Sequence, residues 1–333
     1  MRRALLPAAL ALAACGAGFQ KESIVVDLRI LGVRADPPEV VVDIDPTQID
    51  PAHPPAIVLP KIHVTALVAD PGAARRMEWS MVACAPTLSL RCDDTDPAAV
   101  VLAMGSGVAD DPEDPRAPGA LPRPALVAAD LEVTPALLLY ALETDVLHGF
   151  SGVPIQISIR VVGEGGDEQD AVYAAKSITF AGRQPAERVA NTNPWLAALD
   201  ADDAPFAEAP CGDPLVPPLA VTAGEVVRLT PIEPAGVRES YVLPTFQGGS
   251  QSFVENMSYS WYATAGSFSE AKTGGRTDAF GNIPVLYTDW TAPSAADLAD
   301  LPDGQVRLWL VMRDERGGAY FSEHCFAVTA PAP

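Results

Sequence analysis

The chain has 333 residues, with 22 Lys and Arg against 43 Asp and Glu, giving a net charge of −21 and an isoelectric point near 4.4. That balance excludes nucleic acid as a partner, since such binding needs a basic footprint to displace phosphate counterions. A hydrophobic share of 48% excludes wholesale disorder, and the length suits about two domains of ~150 residues each. Gly 25 and Pro 33 exceed the usual share. The proline excess disfavours long helices and central strands and predicts many short elements joined by turns.

The leader comes first. Arg2 and Arg3 precede an apolar stretch, residues 4–14, followed by Cys15 and Gly16. A positive start, a short apolar run and small residues before a cut describe a secretory signal too short to span a bilayer. Leu12-Ala13-Ala14-Cys15 resembles the lipobox of bacterial lipoproteins, in which the cysteine is lipidated and becomes the new N-terminus. The resemblance implies a signal peptide at 1–14, acylation (palmitate among the chains) at Cys15 and, with Gly16 next, sorting to the outer membrane as a lipid-anchored cell-envelope protein. Ordinary secretion with an incidental cysteine, or an uncleaved anchor, are the alternatives. Removing Arg2 and Arg3 with the leader takes the charge from −21 to −23. Residues 15–23 then form a lipidated tether, and the eight residues 16–23 reach at most ~28 Å.

Strand-like alternation recurs along the rest of the chain. A first module, 24–180, carries predicted strands at 25–33, 62–69, 77–84, 155–162 and 171–180. Thr134-Pro135 supplies a cap and a helix-starting proline, and Gly149 a stop, so one crossover helix is expected over about 135–148. The stretch 93–124 reads as a long solvated acidic loop. Residues 181–189 read as a linker. A second module, 190–330, carries predicted strands at 226–230, 241–246, 257–263, 285–290, 305–313 and 320–328. Trp79 and Trp261 sit mid-strand, where sandwich folds place a core anchor. The fold class expected is mainly β: two tandem immunoglobulin-like antiparallel β-sandwiches, the first with a helix and a loop insert. Residues 259–268, Trp290-Thr291-Ala292-Pro293 and Asp314-Glu315-Arg316-Gly317-Gly318 resemble segments of bacterial immunoglobulin-like and PKD-like repeats, although the Trp-Asp-Phe-Gly-Asp-Gly segment of the latter is missing.

Cys84, Cys92, Cys211 and Cys325 are an even set in a chain read as exported, which predicts disulfides. Of the three pairings, Cys84–Cys92 and Cys211–Cys325 keep each bridge within one module. Zinc is the competing use, but there is no CxxC and no zinc-module spacing.

Catalytic motifs are weak. Ser269-x-x-Lys272 and Lys272-Thr273-Gly274 spell fragments of penicillin-binding enzymes, yet one lysine cannot serve both motifs and Ser-Asp-Asn is missing. His53, His63, His148 and His324 fall in no ligand spacing. Acidic clusters offer the best cation candidates: Asp93, Asp94 and Asp96; Asp110, Asp111, Glu113 and Asp114; and above all Asp200, Asp202 and Asp203, a possible calcium loop that lacks the EF-hand glycine and distal Glu. Solvation of loops in an acidic protein is the plainer use. Tyr241, Phe246, Phe253 and Tyr262, around residues 248–251, form the candidate binding patch, with core packing as their competing use.

The functional expectation is therefore a non-enzymatic, lipid-anchored envelope protein that binds protein or glycan or serves as a structural module, held to a membrane by its lipid. An accessory subunit of an envelope complex and an uncharacterised surface or periplasmic hydrolase are the alternatives. No cofactor is expected, calcium apart.

Overall fold

A computed structural model describes residues 22–43, 58–71, 76–92, 98–108 and 126–331. Cys15 with its lipobox, His53, and the acidic residues Asp93, Asp94, Asp96, Asp110, Asp111, Glu113 and Asp114 lie outside the described residues. Within them the chain is mainly β, with one α-helix.

The first half contains β1 (Arg29–Asp36), β2 (Glu39–Val42), β3 (Ile62–Ala69), β4 (Arg76–Cys84), β5 (Val100–Val108), β6 (Leu126–Leu131), α1 (Pro135–Thr144), β7 (Val153–Gly163) and β8 (Val172–Gly182). These make two sheets, ordered β1-β3-β6 and β2-β8-β7-β4-β5. At Pro37-Pro38, where proline cannot supply ladder donors, the chain changes sheets. β1 pairs antiparallel with β3, whereas β2 pairs parallel with β8. Ile155, Ile157, Ile159 and Val161 of β7 are fully buried between the sheets, with Val64, Ala66, Met81 and Leu131. Burying each such isoleucine stabilises by about 1.5–3 kcal/mol.

Two expectations need correction. The stretch 93–124 is not a continuous loop, because Val100–Val108 forms β5 at the edge of the larger sheet, opposite β4. Its Gly105 pairs with Trp79, and a Cβ there would come within 2.6 Å of the indole, so the strand accepts glycine at that point to seat the tryptophan. The helix ends at Thr144 rather than near 148. Thr134 caps it, its side chain accepting from the Leu137 N–H at 3.2 Å, and Leu137 and Ala141 bury its inner face. At the other end Asp145 is extended and its carboxylate accepts the Gly149 N–H at 2.7 Å, drawing 145–149 into a turn with His148 at φ 49° and Gly149 at φ 74°.

The second half contains β9 (Ala198–Ala201), β10 (Ala204–Phe206), β11 (Leu219–Thr222), β12 (Val226–Ile232), β13 (Ser240–Pro244), β14 (Ser250–Val254), β15 (Ser258–Ala263), β16 (Ser267–Phe268), β17 (Lys272–Gly274), β18 (Thr288–Thr291), β19 (Gln305–Arg313) and β20 (Ala319–Thr329). Two five-stranded sheets, β10-β9-β12-β18-β16 and β11-β20-β19-β15-β17, enclose the core, and β13-β14 stands apart as a hairpin. β11 lies parallel on β20, repeating the β2–β8 arrangement. Trp261, Trp290, Tyr259 and Phe326 are fully buried, and Trp290 stacks on Phe326 with centroids 4.2 Å apart. Buried indoles need acceptors: Trp261 donates to Thr273 Oγ1 at 2.9 Å and Trp290 to the Ala265 carbonyl at 3.2 Å.

The halves pack side by side. Leu308, Leu310 and Met312 of β19 face the second core, whereas Trp309 and Val311 on its other face join Val25, Leu31, Leu67 and Ala69 of the first half. A strand buried on both faces reads as a continuous apolar run, which is the Leu308–Met312 pattern.

Candidate functional site

Both disulfides form as expected. Cys84 and Cys92 bridge across 8 positions, and Cys211 and Cys325 across 114, the latter fixing the approach to β11 onto β20. No sulfur in either pair remains to ligate a metal.

Asp200, Asp202 and Asp203 lie at the β9–β10 hairpin. Asp202 and Asp203 are its two turn residues, at φ 48° and 64°, the left-handed pair that a tight two-residue hairpin demands. Asp202 is committed to this turn: its Oδ1 accepts the Arg228 N–H at 2.9 Å while its own N–H donates to the Arg228 carbonyl. Among the described residues no three His, Cys, Asp or Glu side chains converge as a metal site.

The four aromatic candidates separate into three places. Tyr241 and Phe253 stack across the β13–β14 hairpin at 5.3 Å, and Tyr241 is buried, its hydroxyl donating to Glu315 Oε1 at 2.9 Å. Burial first, and the bond to Glu315 second, push the Tyr241 phenol up to about 12. Tyr262 packs into the contact between the halves. Phe246, just past β13, is 75% exposed and lies flat on Phe150 of the first half, with centroids 4.6 Å apart and planes 7° apart. Phe150, itself partly exposed, was not legible as a site residue. It follows α1 in the turn that the early helix stop creates.

The other motif residues are structural. Thr273 accepts from Trp261 and donates to the Leu286 carbonyl at 2.8 Å. His63 is exposed and pairs with Asp130 across β3 and β6 at 2.9 Å. His324 is buried between the Ala207 carbonyl and Ser322 Oγ, and burial pulls its imidazole down to about 4, so it stays neutral near pH 7.

Sequence reading missed the most concentrated group of charges, which sits where the halves meet. Arg316, in the β19–β20 turn, donates to Glu39 of the first half, to Glu239 and Glu255 beside the β13–β14 hairpin at 3.4 Å each, and to the Val189 carbonyl at 2.8 Å. Glu39 also accepts from Arg188 at 2.7 Å and from the Asn191 N–H at 2.8 Å. Asp314 holds its own turn through the Arg316 and Gly318 N–H groups at 2.8 and 2.7 Å, and accepts from Asn191 Nδ2 at 3.0 Å. Three carboxylates, Glu39, Glu239 and Glu255, thus share two guanidiniums in a largely water-excluded seam, with the Asp314 carboxylate beside them. Ionising all three would leave negative charge uncompensated, and burial first, with the nearby Asp314 and Glu239 charges adding to it, pushes the Glu255 carboxyl up to about 7. Arg188, in the stretch expected to be a linker, is 4% exposed. These residues show no local pattern; the nearest signal is the charged, glycine-ended turn at 314–318.

The first described residues are held against the second half. Val25 N–H donates to the Ala263 carbonyl at 2.8 Å, and the Ala263 N–H to the Ser23 carbonyl at 2.9 Å, adding a parallel bridge at Ile24 to the end of β15. No helix among the described residues is long and apolar enough to cross a membrane.

No protein-family model matches the chain, and no curated protein does. Among solved structures, a nucleoside hydrolase-related hypothetical protein from Saccharophagus degradans is 14% identical over 43% of this chain and 26% of its own, at a TM-score of 0.22. Red sea bream transglutaminase is 9% identical over 93% of this chain and 32% of its own, at 0.22. SGBP-B of a Bacteroides ovatus mixed-linkage glucan utilization locus, solved with a mixed-linkage heptasaccharide, is 10% identical over 92% and 48%, at 0.17. The chain therefore spans under half the length of each, and likenesses of this size carry no functional argument.

Proposed function

We propose that this chain is a lipid-anchored protein of the bacterial cell envelope, acylated at Cys15, with immunoglobulin-like halves that present a glycan-binding face and no catalytic site of their own. The observation that carries the binding role is the exposed Phe150–Phe246 stack. A flat apolar ring held open to water is costly unless covered, and sugar faces cover such rings. The anchor reading rests on Leu12-Ala13-Ala14-Cys15. Residue 24 meets the Ala263 end of β15, and Phe246 sits in the turn of the β13–β14 hairpin. The immunoglobulin-like reading rests on the sheet change at Pro37-Pro38 and the parallel β2–β8 and β11–β20 pairs.

The test is affinity electrophoresis of the full chain in gels containing envelope and plant polysaccharides, with Phe246→Ala and Phe150→Ala alongside. Retardation by at least one glycan that both variants weaken supports the role. Equal mobility in every gel, or retardation that both variants retain, refutes it.

The accessory-subunit reading has one observation behind it. Edge strand β5 leaves Val101 and Met104 exposed, a row open to strand pairing. Co-purification of a stoichiometric partner after mild detergent extraction, lost in Met104→Lys, favours it.

A further inference from the structure

We propose that the cavity where the β19–β20 turn meets β1 and β8 binds a small carboxylate, gripped by Lys176 and Arg313. The site is separate from the aromatic stack and does not depend on it.

The cavity measures about 330 Å³ and opens between two strand edges that do not pair. Among the described residues β1 pairs with β3 alone, and β2 covers β8 at Thr179–Gly182. The stretch 172–178 of β8 therefore has a ladder on one side alone, leaving main-chain groups to line the cavity. Small residues, Gly32, Ala174, Ala175 and Ala319, keep it open. Gly317 sits beside Lys176, and at φ +100° the turn favours glycine.

Its charge is the unusual feature. The chain carries −21 and has four lysines, at 21, 61, 176 and 272, yet one of them points into this cavity. Lys176 Nζ donates to the Gly317 carbonyl. An ammonium carries three donors, and the structure gives this one no other hydrogen-bond partner among the described residues. Arg313 spends two donors, on Ser260 Oγ at 3.1 Å and the Leu31 carbonyl at 2.9 Å, of the five a guanidinium holds. Among the described lining residues the one carboxylate, Asp314, is occupied by two N–H groups and Asn191. The lining therefore sums to one positive charge, which matches a monovalent carboxylate better than a phosphate dianion. Burial pulls the Lys176 amine down to about 8, opposed by Asp314 and reinforced by Arg313. An entering carboxylate supplies the missing counter-charge and raises it again.

A carboxylate of this kind comes from an acidic sugar or from a peptide C-terminus, and the probes separate the two. The full chain in detergent, labelled with ε-¹³C lysine, gives at most four lysine signals to follow against pH. Millimolar glucuronate or N-acetylalanine is expected to raise the Lys176 midpoint by about one pH unit, saturably, with the Lys61 and Lys272 signals unmoved. Response to glucuronate alone assigns a sugar acid, and response to N-acetylalanine alone a peptide end. Calorimetry of Lys176→Met should show binding weakened at least about tenfold. Ala175→Leu, which fills the rim and leaves both cations in place, should weaken it as much, so a loss in Lys176→Met through loosened packing is told apart. No movement of the Lys176 signal with either probe, equal movement with glucose or N-acetylalanine amide, or unchanged affinity in both variants overturns the proposal.

Discussion

Replacing Arg316 with methionine keeps its length and apolar stem and deletes the charge that three carboxylates share. The side chains of Arg316, Glu39 and Glu255 are 10%, 6% and 1% exposed, and Glu239 is 27% exposed. Removing one member of a buried ion group costs about 3–5 kcal/mol, because its partners stay buried without compensation. Glu39 keeps Arg188 and the Asn191 N–H, and Glu255 can take up a proton, so the low end, about 3 kcal/mol at pH 7.5, is expected. The cost should shrink at pH 5, where Glu255 already holds its proton in the native protein. Urea unfolding of the full chain followed by tryptophan fluorescence reads this directly: the midpoint falls with Arg316→Met, and falls less at pH 5 than at pH 7.5. A loss under about 0.5 kcal/mol at pH 7.5, the size of an ordinary surface change, or the same loss at both pH values, would refute the role assigned to the seam.

Three further outcomes concern Glu255 itself, the disulfides and the β9–β10 turn. The Glu255 carboxyl is raised in the folded state, so it binds a proton there that the unfolded chain has released; its contribution is full below the unfolded value, near 4.5, and lost as pH rises toward about 7. Glu255→Gln should flatten the decline of stability between those limits, measured by urea midpoints in steps of pH, and an unchanged slope would assign the decline elsewhere. Opening Cys211–Cys325 with a double Ser variant should cost about 4.8 kcal/mol by loop entropy, against about 2.5 for Cys84–Cys92, from closures of 114 and 8 positions; equal losses would contradict the ordering. Asp203→Gly removes a non-glycine residue from φ 64° and should raise stability by about 1 kcal/mol, whereas a calcium-dependent loss of melting temperature in that variant would make Asp203 a cation ligand instead.

Long alternating runs were legible. The ranges 62–69 and 305–313 match β3 and β19 because Ile62, Val64, Ala66 and Val68, and Val306, Leu308, Leu310 and Met312, mark one face at period two. Both disulfides were legible because only one pairing kept each bridge inside a module. β9, β10, β16 and β17 were not, since strands of two to four residues carry too little alternation to register. β5 escaped for another reason: Met104 and Val101 are exposed on an edge, and glycines at 105 and 107 look like loop until Trp79 is placed beside them. The second buried face of β19 belongs to a contact with distant chain, visible beforehand only as an apolar run. Of the aromatic candidates, Phe246 stands exposed while Tyr241 and Tyr262 went into packing, a division set by tertiary neighbours. The seam was beyond reach because Glu39 and Arg316 lie 277 positions apart.

The central claim is the mooring of this two-part β body to an envelope membrane through its fifteenth residue. Intact-mass spectrometry of the native protein extracted from membranes tests it most directly. The account predicts a chain that begins at Cys15 and carries acyl mass, lost along with membrane association in Cys15→Ala. A native chain that retains residues 1–14, or begins at Cys15 or later with no added acyl mass, would contradict it.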